Sequence, residues 1–132
     1  MGISIKTSFL THDDPEASLR FYRDLLGLTL LNDVGYEGMR WLTFGAEGQD
    51  VNVVLTPPVP EGTDADRQAF AELLAKGVLG GLLLTTDDLD ATFDSLVAAG
   101  VDVVSEPTDQ PWGVRDCAVR DPAGNLLRLD QR

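Results

Sequence analysis

The sequence is poor in the residues that bind metals and cross-link chains. It has a single cysteine, Cys117, and a single histidine, His12, among 132 residues. One cysteine excludes an internal disulfide, and with only one histidine beside it the multi-cysteine and histidine-rich zinc sites are excluded as well. Much of metalloenzyme chemistry is therefore not expected of this chain.

Basic residues and long apolar runs are also scarce. Ten lysine and arginine residues stand against 22 acidic ones, so the formal net charge is −12. That excess repels phosphate backbones, and no basic cluster offsets it, so nucleic-acid binding is not expected. No apolar run approaches the roughly 20 residues that span a bilayer. Because the first residues also lack a leader pattern, we expect no membrane partner and a cytoplasmic location.

The chain resembles itself at an offset of 74 residues. Thr11–Ala17 aligns with Thr85–Ala91, and the two segments match at one threonine, two aspartates and one alanine. An apolar pattern with helical spacing follows each Asp-Asp pair, and Asp14 and Asp88 are placed to cap the two helices. In the first helix, the apolar stripe that we expect to face the core consists of Leu19, Tyr22, Leu25 and Leu26.

Each copy predicts one helix among four strands, which makes the fold class α+β. The strands are expected near 3–10, 28–32, 40–44 and 51–56, and again near 80–86, 101–105, 114–120 and 126–130. Three prolines after residue 56 predict an extended linker, and a further helix is expected from Thr63 or Asp64 through Lys76. We expect a single domain, 1–132, with module 1 at about 3–56, the linker and its helix at 57–79, and module 2 at about 80–132.

Two motifs carry a resemblance to a known family. Ser18–Leu28 (SLRFYRDLLGL) follows the first strand, and Asp121–Leu126 (DPAGNL) precedes the last. Together with two βαβββ modules, they resemble the vicinal oxygen chelate superfamily, which includes glyoxalase I, extradiol dioxygenases and the bleomycin resistance proteins. The resemblance implies a cup-shaped mixed sheet, paired in a homodimer. It does not fix the function, because this fold hosts lyases, isomerases, oxygenases and non-catalytic drug binders.

The resemblance also indicates where a metal would be bound. Enzymes of the superfamily hold a divalent ion with His, Gln or Glu side chains from four strands, and the matching positions here are Thr7, Val54, Gly81 and Arg128. A divalent ion needs several carboxylate, imidazole or carbonyl donors, whereas this set offers one hydroxyl and a permanent cation. We therefore predict no metal, no cofactor and no catalytic residue.

The predicted ligand site is rich in aromatic residues. Trp112 lies between Pro111 and Gly113, and a similar tryptophan contacts the drug in the bleomycin resistance proteins. The alternative is that Trp112 fills a sheet edge or a dimer seam. For the strand around 39–44, the sequence leaves open which face lines the cup. The candidate ligand-binding residues are Thr7, Phe9, Tyr36, Trp41, Asn52, Val54, Trp112, Arg115 and Arg128.

Three other residues have chemistry that needs an interpretation. His12 adjoins Asp13 and the pair could act as a base, but His12 ends a strand and alternates away from the cup, so it is expected to be structural. Cys117 is expected to be structural because the sole histidine lies in the other module. Arg128 is expected to pair with an acidic neighbour such as Asp130 or to contact the ligand, because a guanidinium inside a cup needs an anionic or oxygen partner.

One function is favoured, with two alternatives. The resemblance implies a metal-free binding protein that confers antibiotic resistance by sequestering an aromatic or polycyclic natural product, of the bleomycin, mitomycin or enediyne type, at a homodimer interface. The alternatives are a metal-dependent enzyme of the glyoxalase or dioxygenase type with a shifted site, and a non-catalytic small-molecule sensor. The positions assigned to the cup contain no carboxylate, so the acidity is attributed first to solubility and only second to attraction of a cationic drug.

Overall fold

Two units, each with its own four-stranded sheet, make up residues 2–132, the part of the chain that the computed structural model describes. The first unit ends at Ala71 and the second is Glu72–Arg132. Both have the predicted βαβββ order, so the α+β fold class is confirmed. Within residues 2–132, no helix is long and apolar enough to cross a membrane.

The first unit pairs its strands in the order β1-β4-β3-β2. Its elements are β1 (Thr7–Thr11), α1 (Pro15–Leu19) with a π-helical continuation (Arg20–Leu25), β2 (Thr29–Tyr36), β3 (Met39–Gly45) and β4 (Asn52–Thr56). β1 and β4 are parallel, and the other pairs are antiparallel. Asp14 caps α1, because its carboxylate accepts a hydrogen bond from the backbone N–H of Ala17 at 3.2 Å.

The second unit repeats this arrangement, with the strand order β5-β8-β7-β6. Its elements are β5 (Leu82–Thr86), α3 (Leu89–Ala98), β6 (Asp102–Asp109), β7 (Arg115–Arg120) and β8 (Leu126–Gln131). The linker helix, α2 (Asp64–Lys76), begins in the first unit and ends in the second. Thr63 caps α2, since its hydroxyl accepts from the N–H of Asp66 while the Asp66 carboxylate accepts from the N–H of Thr63.

Three local predictions for the first unit are wrong, the first being the end of β2, which runs to Tyr36 instead of residue 32. β1 begins at Thr7 instead of residue 3, because its partner strand β4 begins at Asn52, which lies opposite Thr7. Leu25 does not belong to the buried stripe of the first helix and is 38% exposed. The π-helical winding from Arg20 changes the spacing, so that the buried aromatic side chains are those of Phe21 and Tyr22.

The core of each unit lies between one sheet face and a helix. In the first unit Leu42, Phe44 and Leu55 are at most 1% exposed, and the Tyr22 ring is 5.5 Å from that of Phe44. In the second unit the buried set is Leu89, Leu96, Val119, Leu127 and Leu129. Each buried aliphatic side chain contributes about 1.5–3 kcal/mol. Since strand side chains alternate, the intervening residues of every strand occupy the other face.

The DPAGN motif forms a closed turn between β7 and β8. Asp121 is 5% exposed, and its carboxylate oxygen Oδ1 accepts hydrogen bonds from the backbone N–H groups of Ala123, Gly124 and Asn125 at 2.9–3.0 Å. Its Oδ2 accepts from the side-chain amide of Asn125 at 2.8 Å. The motif therefore satisfies the backbone donors of a tight connection that positions the last strand.

Replacing Asp121 by alanine should destabilise the protein more than replacing an exposed aspartate. Asp121→Ala leaves the backbone N–H groups of Ala123 and Asn125 without their acceptor, whereas that of Gly124 keeps the backbone carbonyl of residue 121. We expect the free energy of unfolding to fall by about 2–4 kcal/mol. Asp102→Ala is the matched control, because that side chain is 72% exposed and its contact with Arg120 is 3.9 Å long; its loss should be under about 1 kcal/mol. Urea unfolding followed by tryptophan fluorescence measures both, and equal losses would contradict this account of the turn.

Candidate functional site

The open face of the first sheet, opposite its core, carries three aromatic residues. The strand register places Thr7 beside Asn52, Phe9 beside Val54, and Val54 beside Thr43. Alternation puts Trp41 on the same face as Thr43, and the β2–β3 register adds Val34 and Tyr36. Phe9 is 65% and Tyr36 64% exposed, whereas Trp41 is half-buried. Six of the nine candidate residues thus share this face: Thr7, Phe9, Tyr36, Trp41, Asn52 and Val54.

The register answers the question that the sequence left open for β3. Leu42 pairs with Leu55, and both side chains are fully buried on the core face. Trp41 and Thr43 must therefore lie on the open face, since adjacent residues of a strand point to opposite sides. A large aromatic side chain is thereby available on the same face as Val54 and Phe9, where a flat apolar ligand has surface to contact.

A short, ordered turn presents Trp112. The backbone N–H of Gly113 donates to the carbonyl of Gln110 at 3.1 Å, and the N–H of Gln110 donates to the carbonyl of Val114 at 2.7 Å. Gly113 has a φ of +92°, which glycine adopts without the strain that a side chain would cause. The Trp112 side chain is 69% exposed. An exposed ring on an ordered turn loses little conformational freedom when it binds a ligand.

An arginine near the start of the third strand of each unit links two acidic residues. Arg40 contacts Glu16 of α1 and Asp33 of β2, with 2.7 Å between its Nη2 and the Asp33 carboxylate. Arg115 contacts Asp90 of α3 at 2.9 Å and Asp109 of β6 at 3.5 Å. These hydrogen bonds raise the pKa of both guanidinium groups, and Arg40 holds the pKa of Asp33 below its usual range.

These duplicated ion clusters bear on the candidate Arg115. Its guanidinium already contacts two carboxylates. Alternation places Arg115 on the same face of β7 as Cys117 and Val119, whereas Asp116 and Ala118 are on the other face. Arg40 makes the equivalent contacts in the first unit. The arrangement therefore serves the fold of both copies, and in the second it joins the two ends of the Trp112 turn.

The open face of the second sheet is charged. Arg128 is 3.8 Å from the carboxylate of Asp116, and its side chain is 48% exposed while that of Asp116 is 5% exposed. The Gln110 side chain donates to the same carboxylate at 2.9 Å. Asp130 lies directly opposite Asp116 in the β7–β8 register. Leu83, beside Arg128 in the register, is 64% exposed.

The prediction that this face holds no carboxylate is wrong. Asp130 is two residues from Arg128 in β8, so both side chains are on the same face of the sheet. Alternation along the strand was sufficient to identify this position. Placing Asp116 on this face required the observed strand register, because nothing in the sequence fixes the pairing of β7 with β8. Arg128 does pair with an acidic residue, which was one of its two predicted roles, but the partner is Asp116 and not Asp130, the example given from the sequence.

The residues at the four metal positions do not fit a divalent ion. Thr7, Val54 and Gly81 supply one hydroxyl between them, and Arg128 is a cation paired with Asp116. At Gly81 a Cβ atom would collide with the backbone carbonyl of Leu126, so a ligating side chain cannot be placed there without moving β8. Among residues 2–132, no three His, Cys, Asp or Glu side chains are grouped so that they could hold a metal ion.

The remaining reactive side chains are buried. Cys117 is fully buried, and burial beside Asp116 raises the pKa of its thiol to about 11, so it is not a nucleophile near neutral pH. His12 is 4% exposed, and its Nε2 lies 2.6 Å from the carbonyl oxygen of Arg40. Neither residue lies on an open face, in agreement with the structural roles predicted for them.

A substitution at Gly81 should reveal how closely the strands approach each other there. Gly81→Ala forces the Leu126 carbonyl to move, so we expect a loss of about 1–3 kcal/mol in the free energy of unfolding. Gly80→Ala is the matched control, since a Cβ at that position meets nothing within 4 Å; its effect should stay within about 0.5 kcal/mol. Thermal or urea unfolding of both variants checks this, and a Gly81→Ala variant as stable as Gly80→Ala would refute it.

Known proteins share both the sequence pattern and the fold. The crystal structure of UcmS2 is 30% identical, with a TM-score of 0.87 over 100% of both chains. The crystal structure of TnmS3, described as an antibiotic binding protein from Streptomyces sp. CB03234, is 33% identical, with a TM-score of 0.76 over 99% of this chain and 98% of that one.

A relative with a different description is CFP32 of Mycobacterium bovis, which carries a provisional name as a glyoxylase. It is 30% identical over 128 residues, which are 97% of this chain but 43% of CFP32, so this chain spans less than half the length of that relative. The profile of the Glyoxalase/Bleomycin resistance protein/Dioxygenase superfamily matches residues 4–129. Because that match covers nearly all of the sequence, the chain belongs to the glyoxalase/bleomycin resistance protein/dioxygenase superfamily.

Proposed function

We propose that this protein binds an aromatic natural product without transforming it, and that it protects its host by keeping the compound sequestered. The observation that carries the proposal is the open face of the first sheet, which presents Phe9 on one edge strand, Tyr36 on the other and Trp41 on the strand β3 between them. Good aromatic pairs contribute about 0.5–1.5 kcal/mol each beyond the area that they bury. A planar ligand therefore gains more on this surface than an aliphatic one.

The misfit of the metal positions supports binding over catalysis. Enzymes that use a bound metal as a Lewis acid need donor side chains to hold it, and Thr7, Val54, Gly81 and Arg128 do not form such a set. The description of TnmS3 as an antibiotic binding protein points in the same direction. The provisional name of CFP32 favours the enzymatic alternative, so the tests must include a search for product.

We further propose that the protein is a cytoplasmic homodimer with its ligand sites at the subunit interface. The support is the amount of apolar surface left exposed: Ile3 and Ile5 are 102% and 73% exposed, and Phe9 and Leu83 are 65% and 64% exposed. Large apolar side chains left exposed in either unit favour an interface with a second copy of the chain. Light scattering should give twice the 14.3 kDa mass of the chain, and a monomer at micromolar concentration would contradict the dimer.

Binding should depend on Trp112. With 1-(2-hydroxyethylamino)anthraquinone as a neutral planar probe, we expect saturable quenching of tryptophan fluorescence and a Kd at least about tenfold weaker in Trp112→Ala. Val97→Ala is the control, because Val97 lies on the helix α3 and is 47% exposed; its Kd should match that of the unaltered protein.

Three results would refute parts of the proposal. An unchanged Kd in Trp112→Ala would remove this residue from the site. Recovery of the probe in a chemically altered form, with loss of the conversion in EDTA, would establish the enzymatic alternative. Unchanged sensitivity of a bacterium that expresses the protein, across a panel of DNA-damaging quinone antibiotics, would favour the sensor.

A further inference from the structure

Each unit has a cavity at the end of its sheet where the two parallel strands finish. In the first unit the cavity is about 380 Å³ and its wall includes His12, Met39 and three prolines of the linker. In the second unit it is about 520 Å³, and its wall includes Thr85, Asp109, Gln110, Arg115, Asp130 and Gln131. The two copies thus keep a cavity at the corresponding place but surround it with different chemistry.

The internal duplication distinguishes residues that the fold needs from residues that it does not. Arg115 and its two carboxylates have counterparts in Arg40, Glu16 and Asp33, so both copies use this cluster. Asp130 has no acidic counterpart. It pairs with Thr85 as Thr56 pairs with Thr11, and the Thr56 hydroxyl donates to the carbonyl of Leu10. Because the fold forms around a threonine at this place in the first copy, it does not require a carboxylate there in the second.

Within residues 2–132, the carboxylate of Asp130 makes no hydrogen bond or ion pair, although it is half-buried. The nearby cations are engaged elsewhere: Arg115 with Asp90 and Asp109, and Arg128 with Asp116. Arg132 contacts Asp87 and donates to the Thr85 hydroxyl. The Asp130 carboxylate therefore stays available, on the cavity wall, to a cation from outside the chain.

The other polar groups of the wall suit the same kind of partner. Gln110 donates its side-chain N–H to Asp116, which leaves its carbonyl oxygen as an acceptor. The Thr85 hydroxyl accepts from Arg132 and keeps a second lone pair. With the Asp130 carboxylate, the wall therefore offers three kinds of acceptor, whereas its one arginine already holds two anions. An ammonium group has three N–H donors and no acceptor.

We propose that the cavity beside the Trp112 turn binds a protonated aliphatic amine carried by the ligand, with Asp130 as its counter-ion. Gln110, Gly113 and Val114 belong both to the turn and to the cavity wall, so a ligand stacked on Trp112 has the cavity within reach of a short side arm. This inference rests on the proposed binding of a planar compound and narrows its class to planar compounds with a basic amine. The acidity of the chain then acts at the site as well as on the surface.

A matched pair of probes separates the amine from the rest of the ligand. The first is 1-(2-aminoethylamino)anthraquinone, and the second is its 2-hydroxyethyl analogue, which has the same ring system and no basic aliphatic amine. We expect the unaltered protein to bind the amine at least about tenfold more tightly at pH 7, the size of effect typical of a hydrogen bond to a charged group. The preference should shrink between 50 and 500 mM salt.

The variant Asp130→Asn should abolish the preference by weakening the amine probe alone, with the Kd of the hydroxyl probe changed less than about twofold. Asp102→Asn removes the same charge from an exposed position in the same unit and should keep the preference. Equal binding of the two probes, or a preference that survives in Asp130→Asn, would overturn the role of Asp130 and leave the proposed function standing. Failure of both probes to bind the unaltered protein would overturn the proposed function, and this inference with it.

Discussion

The structure depends on the burial of one face of each four-stranded sheet. Leu42 and Leu55 are fully buried in the first unit, as are Leu127 and Val119 in the second, and this burial supplies much of the stability of each unit. Strand alternation then leaves a second face on which residues are free to differ. The fold therefore separates stability from recognition: changes on the open faces leave the leucine and valine packing intact.

The open faces of the two duplicated sheets do differ in chemistry. At matching places on their open faces, the first sheet has Trp41 and Val54 where the second has Asp116 and Arg128. One copy thus offers an aromatic and apolar surface, and the other offers charge and hydrogen bonding. Each surface by itself suits a different part of a ligand: the first suits a flat apolar ring system, and the second suits polar and charged groups.

Sequence reasoning recovered the features that short-range patterns determine. The two helix caps, the eight strands and the separation of Phe9 from Leu10 follow from spacing and alternation. What it missed depends on contacts between distant segments. The role of Asp116 is set by the pairing of β7 with β8, and the exposure of Leu25 by a π-helical turn that no periodic pattern predicts. Asp130 was identifiable by alternation alone, since it shares the face of Arg128.

Arg40 and Arg115 each form an ion pair across a hairpin, between the third strand of the unit and the strand before it. These ion pairs lie outside the turn that connects the two strands. In the second unit the five residues Gln110–Val114 lie between Asp109 and Arg115, and the cluster needs none of their side chains. The exposed side chain of Trp112 can therefore be changed without disturbing these ion pairs, whereas Gln110 keeps its hydrogen bond to Asp116 and Gly113 its positive φ. The tip of this turn at Trp112 is therefore a natural position for a binding library, because the ion pairs that frame the turn lie outside the residue that would be varied.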